Sequence, residues 1–262
     1  MLTKQDEAKK ILRSISEERF QEVRSELDEI KMFAGHENVI LTDEQRAVMT
    51  KEAAEQLKGV FETLKLDYLK DPNLLDTPMR LASMWVNELM VGRYSAAPRI
   101  EAFPLQIETK SYNGEESVPT LFDGTDDEPI VESVASRMII SKKVDLDSLC
   151  SHHFMPFFDT GENSFAIVAY KPSDKLLGIS KLQRVVNYFG QRPQLQENLL
   201  SQIHEYIKEV IQSDDVMVIG RNIMHTCETA RGVKSSVGRT NTTLHSGIFN
   251  DVALRQEVIA NS

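Results

Sequence analysis

The order of apolar and polar positions divides the chain into a helical first part and a strand-rich remainder. Residues 4–34 read as one polar helix, with Phe20, Val23, Leu27 and Ile30 at 3-4-3 spacing. So narrow a stripe suits a coiled-coil-like seam or a docking helix, and a loosely packed, solvated appendage fits it equally well. The stretch 34-AGHENV-39 breaks the pattern. A second helix is expected from the cap-like Thr42-Asp43 to about Leu66, with Leu57, Val60, Phe61 and Leu64 on one face. A third opens within 76-DTPMRLASMWVNELM-90, where Asp76 or Thr77 is the cap and Pro78 fits the first turn.

Residues 113–132 are acidic and rich in turn formers, which predicts a loop or insertion. Beyond them the period changes. Val144 and Leu146 alternate with Asp145 and Asp147, as in a half-buried strand. The apolar run 164-SFAIVAY-170 predicts a strand buried on both faces, preceded by a hairpin at 158-FDTGENSF-165. Leu182, Val185, Val186 and Phe189 stripe a helix over 180–190. Beyond Pro193, Leu195, Leu199, Ile203, Tyr206, Ile207 and Val210 do the same over 194–212. A strand over 215–227 and a short helix after Phe249 complete an α+β pattern with a helical pair set between antiparallel strands.

Composition narrows the function classes. With 41% hydrophobic and 27% charged residues, the 262-residue chain reads as an ordinary globular protein. No apolar run is long enough for a membrane span, and the N-terminus lacks the apolar core of a secretory signal, so a cytoplasmic location is expected. The net charge of −10 arises entirely in residues 1–150, where 29 Asp/Glu face 19 Lys/Arg; residues 151–262 carry 11 of each. Nucleic-acid binding through a broad basic surface is therefore excluded, whereas a small anion held by a local basic cluster is not.

The chain has two cysteines and six histidines, yet Cys150, His152 and His153 fall within four positions. The other cysteine, Cys227, also has a histidine nearby: if the strand runs through it, His225 and Cys227 project from one face. Two thiols and imidazoles suit Zn2+, with Cys150, His153, Cys227 and one of His152 or His225 as candidates. A closed, purely structural site satisfies the spacing. A catalytic site gives the spare histidines a use as general acid and base, with metal-bound water supplying hydroxide near neutral pH.

A basic cluster lies at 176-LLGISKLQR-184, where Ser180 is expected at a helix start with Lys181 and Arg184 in its first turn. Backbone N–H groups and the helix dipole favour a phosphate there, and cations so placed are unfavourable without an anion. Arg231, four residues after Cys227, adds charge near the metal candidates. Gln196 and Glu197 pair an amide with a carboxylate, a combination able to read the donor edge of guanine.

Taken together, CSHHFMPF at 150–157, GISKLQR at 178–184, QRPQLQE at 191–197, HTCETARG at 225–232 and DTPMRLASMW at 76–85 resemble the GTP cyclohydrolase I family in order and spacing, over roughly residues 45–262. The resemblance implies a tunnelling fold (T-fold). It implies a catalytic part at 43–262, comprising a helical entry region at 43–95 and the T-fold region at 96–262; the helical extension at 1–42 and the acidic 113–132 segment have no clear counterpart in the family pattern. The implied activity is zinc-dependent hydrolysis and rearrangement of GTP to formate and 7,8-dihydroneopterin triphosphate, at subunit interfaces of a homodecamer, as the first step of tetrahydrofolate or pterin synthesis. By motif, Cys150, His153 and Cys227 would bind Zn2+, and His152 and His225 would transfer protons. Ser180, Lys181, Arg184 and Arg231, with Arg80 of a neighbouring subunit, would hold the triphosphate. Gln196 and Glu197 would read guanine, with Leu177 and Ile179 lining its pocket.

Ser151 stands where the family usually carries glutamate. That departure motivates two alternatives: a paralogue with another substrate, and a zinc-stabilised oligomeric binding module without turnover. Residues 1–40 are expected to be dispensable for catalysis.

Overall fold

A computed structural model describes residues 3–100, 102–104, 138–161, 163–173 and 175–261. The acidic 113–132 segment lies outside the described residues. The first expected helix is in fact two, α1 (Lys4–Ser14) and α2 (Glu17–Asp28). Ser16 separates them: its backbone is extended and its hydroxyl accepts from the Arg19 N–H, which starts a new helix. Phe20 and Val23 are buried against Val48, with Leu12, Ile15 and Leu27 around them. The pair is therefore docked, not solvated.

The docking partner is α3 (Asp43–Thr63), opened by a capping box between Thr42 and Gln45. Its buried face is Ala47, Val48, Thr50, Ala54 and Phe61, whereas Val60 is 49% and Leu64 63% exposed. The apolar stripe read from the sequence is thus only partly the buried one, because α1, α2 and α4 (Thr77–Met84) pack on the small-residue face. Asp76 precedes α4 in a left-handed conformation (φ 62°) and does not cap it with its side chain. Its carboxylate instead pairs with Lys9 of α1 at 2.9 Å. The helix then passes into a π turn, Trp85–Leu89.

Residues 33–41 stitch the helical layer to the rest. Arg93 donates to the carbonyls of Phe33 (3.0 Å) and Ala34 (2.7 Å), and the buried Arg192 donates to that of His36 (2.7 Å). Gly35 is required there, since a Cβ would stand 2.2 Å from the Pro193 carbonyl oxygen.

The main sheet contains β2 (Ile139–Val144), β3 (Asp147–Cys150), β4 (Pro156–Phe158), β5 (Phe165–Tyr170), β7 (Pro193–Gln194), β8 (Val216–His225) and β9 (Thr240–His245). The hydrogen-bonded order is β2-β5-β8-β4-β3-β7, with β9 also on β8; β1 (Ala102–Pro104) and β6 (Lys175–Leu177) form a separate pair. The sheet is mixed, not wholly antiparallel, because β7 lies parallel to β3. The 158–165 segment does turn back on itself, at an antiparallel bridge between Gly161 and Ser164, but it does not join paired strands. Both β4 and β5 run antiparallel to β8, at different places along it, so the connection joins strands pointing the same way.

Period-two alternation explains the two-sided burial of β5. Ala166, Val168 and Tyr170 meet Leu182, Val185, Val186, Leu199 and Ile203 of α5 (Ile179–Gly190) and α6 (Gln196–Ile211). Phe165, Ile167 and Ala169 meet Phe249 and Val258, the latter on α8 (Val252–Ala260). Each fully buried side chain of this size contributes about 1.5–3 kcal/mol. No helix among the described residues is long and apolar enough to cross a membrane.

Candidate active site

Cys150 ends β3 and is 4% exposed. The turn after it is closed at both ends: the Cys150 N–H donates to Met155 O, and the Phe154 N–H donates to Cys150 O, each at 2.9 Å. Phe154 takes a left-handed conformation (φ 52°) and packs edge-on against Trp85. This tight turn presents His152 and His153 to solvent, their rings 6.2 Å apart. The Ser151 N–H donates to Gln194 O at 3.2 Å, so parallel β7 supports the turn from beneath.

Cys227 is not on a strand. β8 ends at His225 and Cys227 lies in the first turn of α7 (Thr226–Ala230). The expected alternation therefore stops two residues early. Thr226 Oγ1 donates to Pro156 O at 2.6 Å and fastens this corner to β4. The corner packs Cys227 against the core cluster that contains Cys150, close enough for the two thiols to interact, without a disulfide. Burial first, and the Cys150 thiol second, push the Cys227 thiol above its ordinary pKa.

His225 stacks on Phe157, centroids 4.9 Å apart and planes 12° apart. Its Nε2 lies 2.8 Å from Gln196 Oε1, and Gln196 Nε2 donates to Thr242 Oγ1 at 3.0 Å. Gln196 is only 2% exposed, so both ends of its amide are engaged inside the protein. Burial lowers the His225 pKa, opposed by the negative charges of Glu197 and Glu228. The neutral ring is favoured, which suits an acceptor of protons.

Arg231 donates to His153 Nε2 at 2.6 Å. The α5 terminus differs in detail from expectation: Gly178, not Ser180, is the cap, and no side chain caps the helix. Ser180 and Lys181 occupy the first turn and Arg184 the second, with no carboxylate in that first turn. Ser180 and Arg184 are exposed, as is Arg80 on α4. Leu177 is buried in the α5–α6 core and its N–H donates to the Tyr170 hydroxyl. The Ile179 side chain lies outside the described ones. Glu197 is exposed in the first turn of α6.

The structure thus joins Cys150 to Cys227, His153 to Arg231, and His225 to Gln196. Among the described residues no three His, Cys, Asp or Glu side chains converge closely enough to hold a metal ion. The donor types nonetheless suit zinc: two thiols already meet, and His153 stands three residues from one of them on an exposed turn. Phe157 and Thr242 were not singled out by spacing. Strand alternation within 240-TNTTLH-245 places Thr242 on one face with Thr240, the signal that could have pointed to it.

The sequence profile of the GTP cyclohydrolase I family matches residues 53–262. A protein named GTP cyclohydrolase 1 from Aeromonas salmonicida is 33% identical over 217 residues, covering 82% of this chain and 84% of its own. Its namesake from Photobacterium profundum is 32% identical over 232 residues, 88% of this chain and 90% of its own. That from Vibrio cholerae serotype O1 is 34% identical over 212 residues, 80% and 82% of the two chains. Similarity sustained at this level across the whole sheet and both thiol-bearing segments makes the chain a member of the GTP cyclohydrolase I family.

Proposed function

We propose that the protein hydrolyses GTP at C8 of the guanine and rearranges the product to 7,8-dihydroneopterin triphosphate, releasing formate, in a zinc-dependent reaction in the cytoplasm. The observation that carries this reading is the family match over residues 53–262, joined by the approach of the Cys227 thiol to Cys150 from 77 residues away in the chain. Cys150, Cys227 and His153 would hold Zn2+, which when bound supplies a Lewis acid and an acidified water. His225, with its ring plane set by Phe157, and the exposed His152 accept and return protons as the imidazole ring opens and C8 departs as formate.

Binding falls to the cations. The uncapped α5 terminus with Ser180 and Lys181, the adjacent Arg184, and Arg231 supply charge and N–H donors for a triphosphate. Arg80 completes this clamp from a neighbouring subunit of a homodecamer. The exposed Glu197 carboxylate accepts from the N1 and N2 donors of guanine, and the family motif assigns Leu177 and Ile179 to the base pocket. The product would enter tetrahydrofolate or pterin synthesis.

The test is incubation of zinc-replete protein with GTP, measuring formate and dihydroneopterin triphosphate beside a chelated control. Equal yields of both, abolished by chelation, are expected. A folded, zinc-loaded oligomer that makes neither would overturn the reading in favour of a paralogue or a binding module, the outcome Ser151 would then explain.

A further inference from the structure

Arg192 is 4% exposed, and among the described residues its Nε has no partner. The rings of Tyr188 and Phe189 cover it, their centroids 4.6 and 4.9 Å from the guanidinium carbon. Its Nη1 donates to His36 O at 2.7 Å and to Gln202 Oε1 at 3.0 Å. Gln202 Nε2 donates in turn to Gln194 Oε1 at 3.0 Å, and Gln194 Nε2 donates to Phe189 O.

The direction of this row is fixed at both ends. A guanidinium only donates, so the oxygen of the Gln202 amide must face Arg192. A backbone carbonyl only accepts, so the nitrogen of the Gln194 amide must face Phe189. The two amides then meet nitrogen to oxygen, and turning either one over sets like groups against each other. Buried amide groups left unmatched are costly, so the row holds Gln194, itself 2% exposed, in one pose.

Gln194 is the residue of β7 on which the Cys150–His153 turn rests. It pairs with Cys150 across the parallel β3–β7 ladder, and its carbonyl accepts the Ser151 N–H at 3.2 Å. A second tie runs from the Ser148 hydroxyl to Arg192 O, also at 3.2 Å.

We propose that Arg192, Gln202 and Gln194 are positioning residues for Cys150, setting through β7 the turn that carries it and His153. The inference rests on the cyclohydrolase reading, which makes that turn part of a zinc site. None of the three side chains is a candidate ligand or substrate contact; they act through the backbone of β7.

The test is Gln202→Glu in the full-length protein. A carboxylate keeps the contact with Arg192, and is the stronger partner for a guanidinium, but it has no N–H to give Gln194. If Gln202 served only to satisfy Arg192, the variant would hold zinc as tightly as the parent. Positioning predicts instead an affinity for zinc about tenfold lower in competition with a chelator. The zinc-free variant should melt no lower than the zinc-free parent. Unchanged zinc affinity overturns the inference, and so does zinc loss joined to a lower zinc-free melting temperature, the mark of general loosening. Should Gln202→Glu not assemble, Gln202→Asn, too short to reach both neighbours, replaces it with the same expected loss, and parental affinity there overturns the inference. A parent that binds no zinc overturns the cyclohydrolase reading and this inference with it. A zinc-binding parent whose affinity survives the substitution overturns the inference alone.

Discussion

Arg231 donates a guanidinium N–H into the Nε2 lone pair of His153 over 2.6 Å. That bond requires the imidazole nitrogen to be unprotonated, as a metal ligand must be. Were His153 to ligate a metal through that nitrogen, the guanidinium would have to give way, and the exposed Arg231 would become available to an anion.

The first prediction concerns that pair. Arg231→Ala is expected to raise KM for GTP about tenfold or more, the size of one lost charge-assisted hydrogen bond. Bound zinc should stay at the parental level. Metal analysis alongside steady-state kinetics decides it; zinc loss with an unchanged KM would contradict the assignment.

Cys150→Ser and Cys227→Ser should each lose zinc and GTP turnover together. Removing one ligand of three from a site without a replacement thiol leaves an incomplete donor set. Cys150 and Cys227 are not joined in a disulfide, so a loss of turnover on thiol oxidation, reversed by reductant, is expected as well. Retention of stoichiometric zinc in either variant would count against the thiol site.

The N-terminal helices are predicted to govern stability, not chemistry. Phe20→Ala removes a ring buried against Val23 and Val48 and should lower unfolding stability by about 3 kcal/mol while leaving KM unchanged. Truncation after residue 30 should give a folded enzyme. Truncation after residue 40 also removes the carbonyl partners of Arg93 and Arg192, so the sequence-based expectation that residues 1–40 are dispensable narrows to 1–30, and the longer deletion is expected to assemble poorly. Thermal melts and sizing of the two truncations, with kinetics on whatever folds, distinguish the cases.

Glu205 supplies a pH-dependent contribution. Its carboxylate is hydrogen-bonded to the buried His204 at 2.9 Å and lies near Lys208, and the His204 bond, above all, holds its pKa below the ordinary value. A depressed carboxylate pKa stabilises the fold above the unfolded value of about 4.3 and ceases to do so as pH falls through the folded value. Because the side chain is 62% exposed, Glu205→Gln should cost less than about 1 kcal/mol at pH 7. Melting temperatures of the two proteins should converge as pH falls below the ordinary carboxylate range; a gap that widens in acid would falsify the linkage.

Local chemistry by itself determined much of this protein. Thr42 and Gln45 mark the start of α3 because a capping box uses only neighbours in sequence. The stripes of α5 and α6 announce their buried faces because 3.6-residue periodicity is a property of the helix alone. The closeness of Cys150, His152 and His153 is written in the chain. What the tertiary structure decided is every relation between distant segments. The early end of β8 at His225, which moves Cys227 onto a helix, depends on the contact of Thr226 with β4. The buried face of α3 was set by which helices dock on it, so Val60 and Leu64 face solvent despite their apolarity. The sealing of Gln196 between His225 and Thr242 needs α6, β8 and β9 at once. Spacing along a sequence carries no information about partners 29 or 46 residues away; only packing brings their atoms to hydrogen-bonding distance.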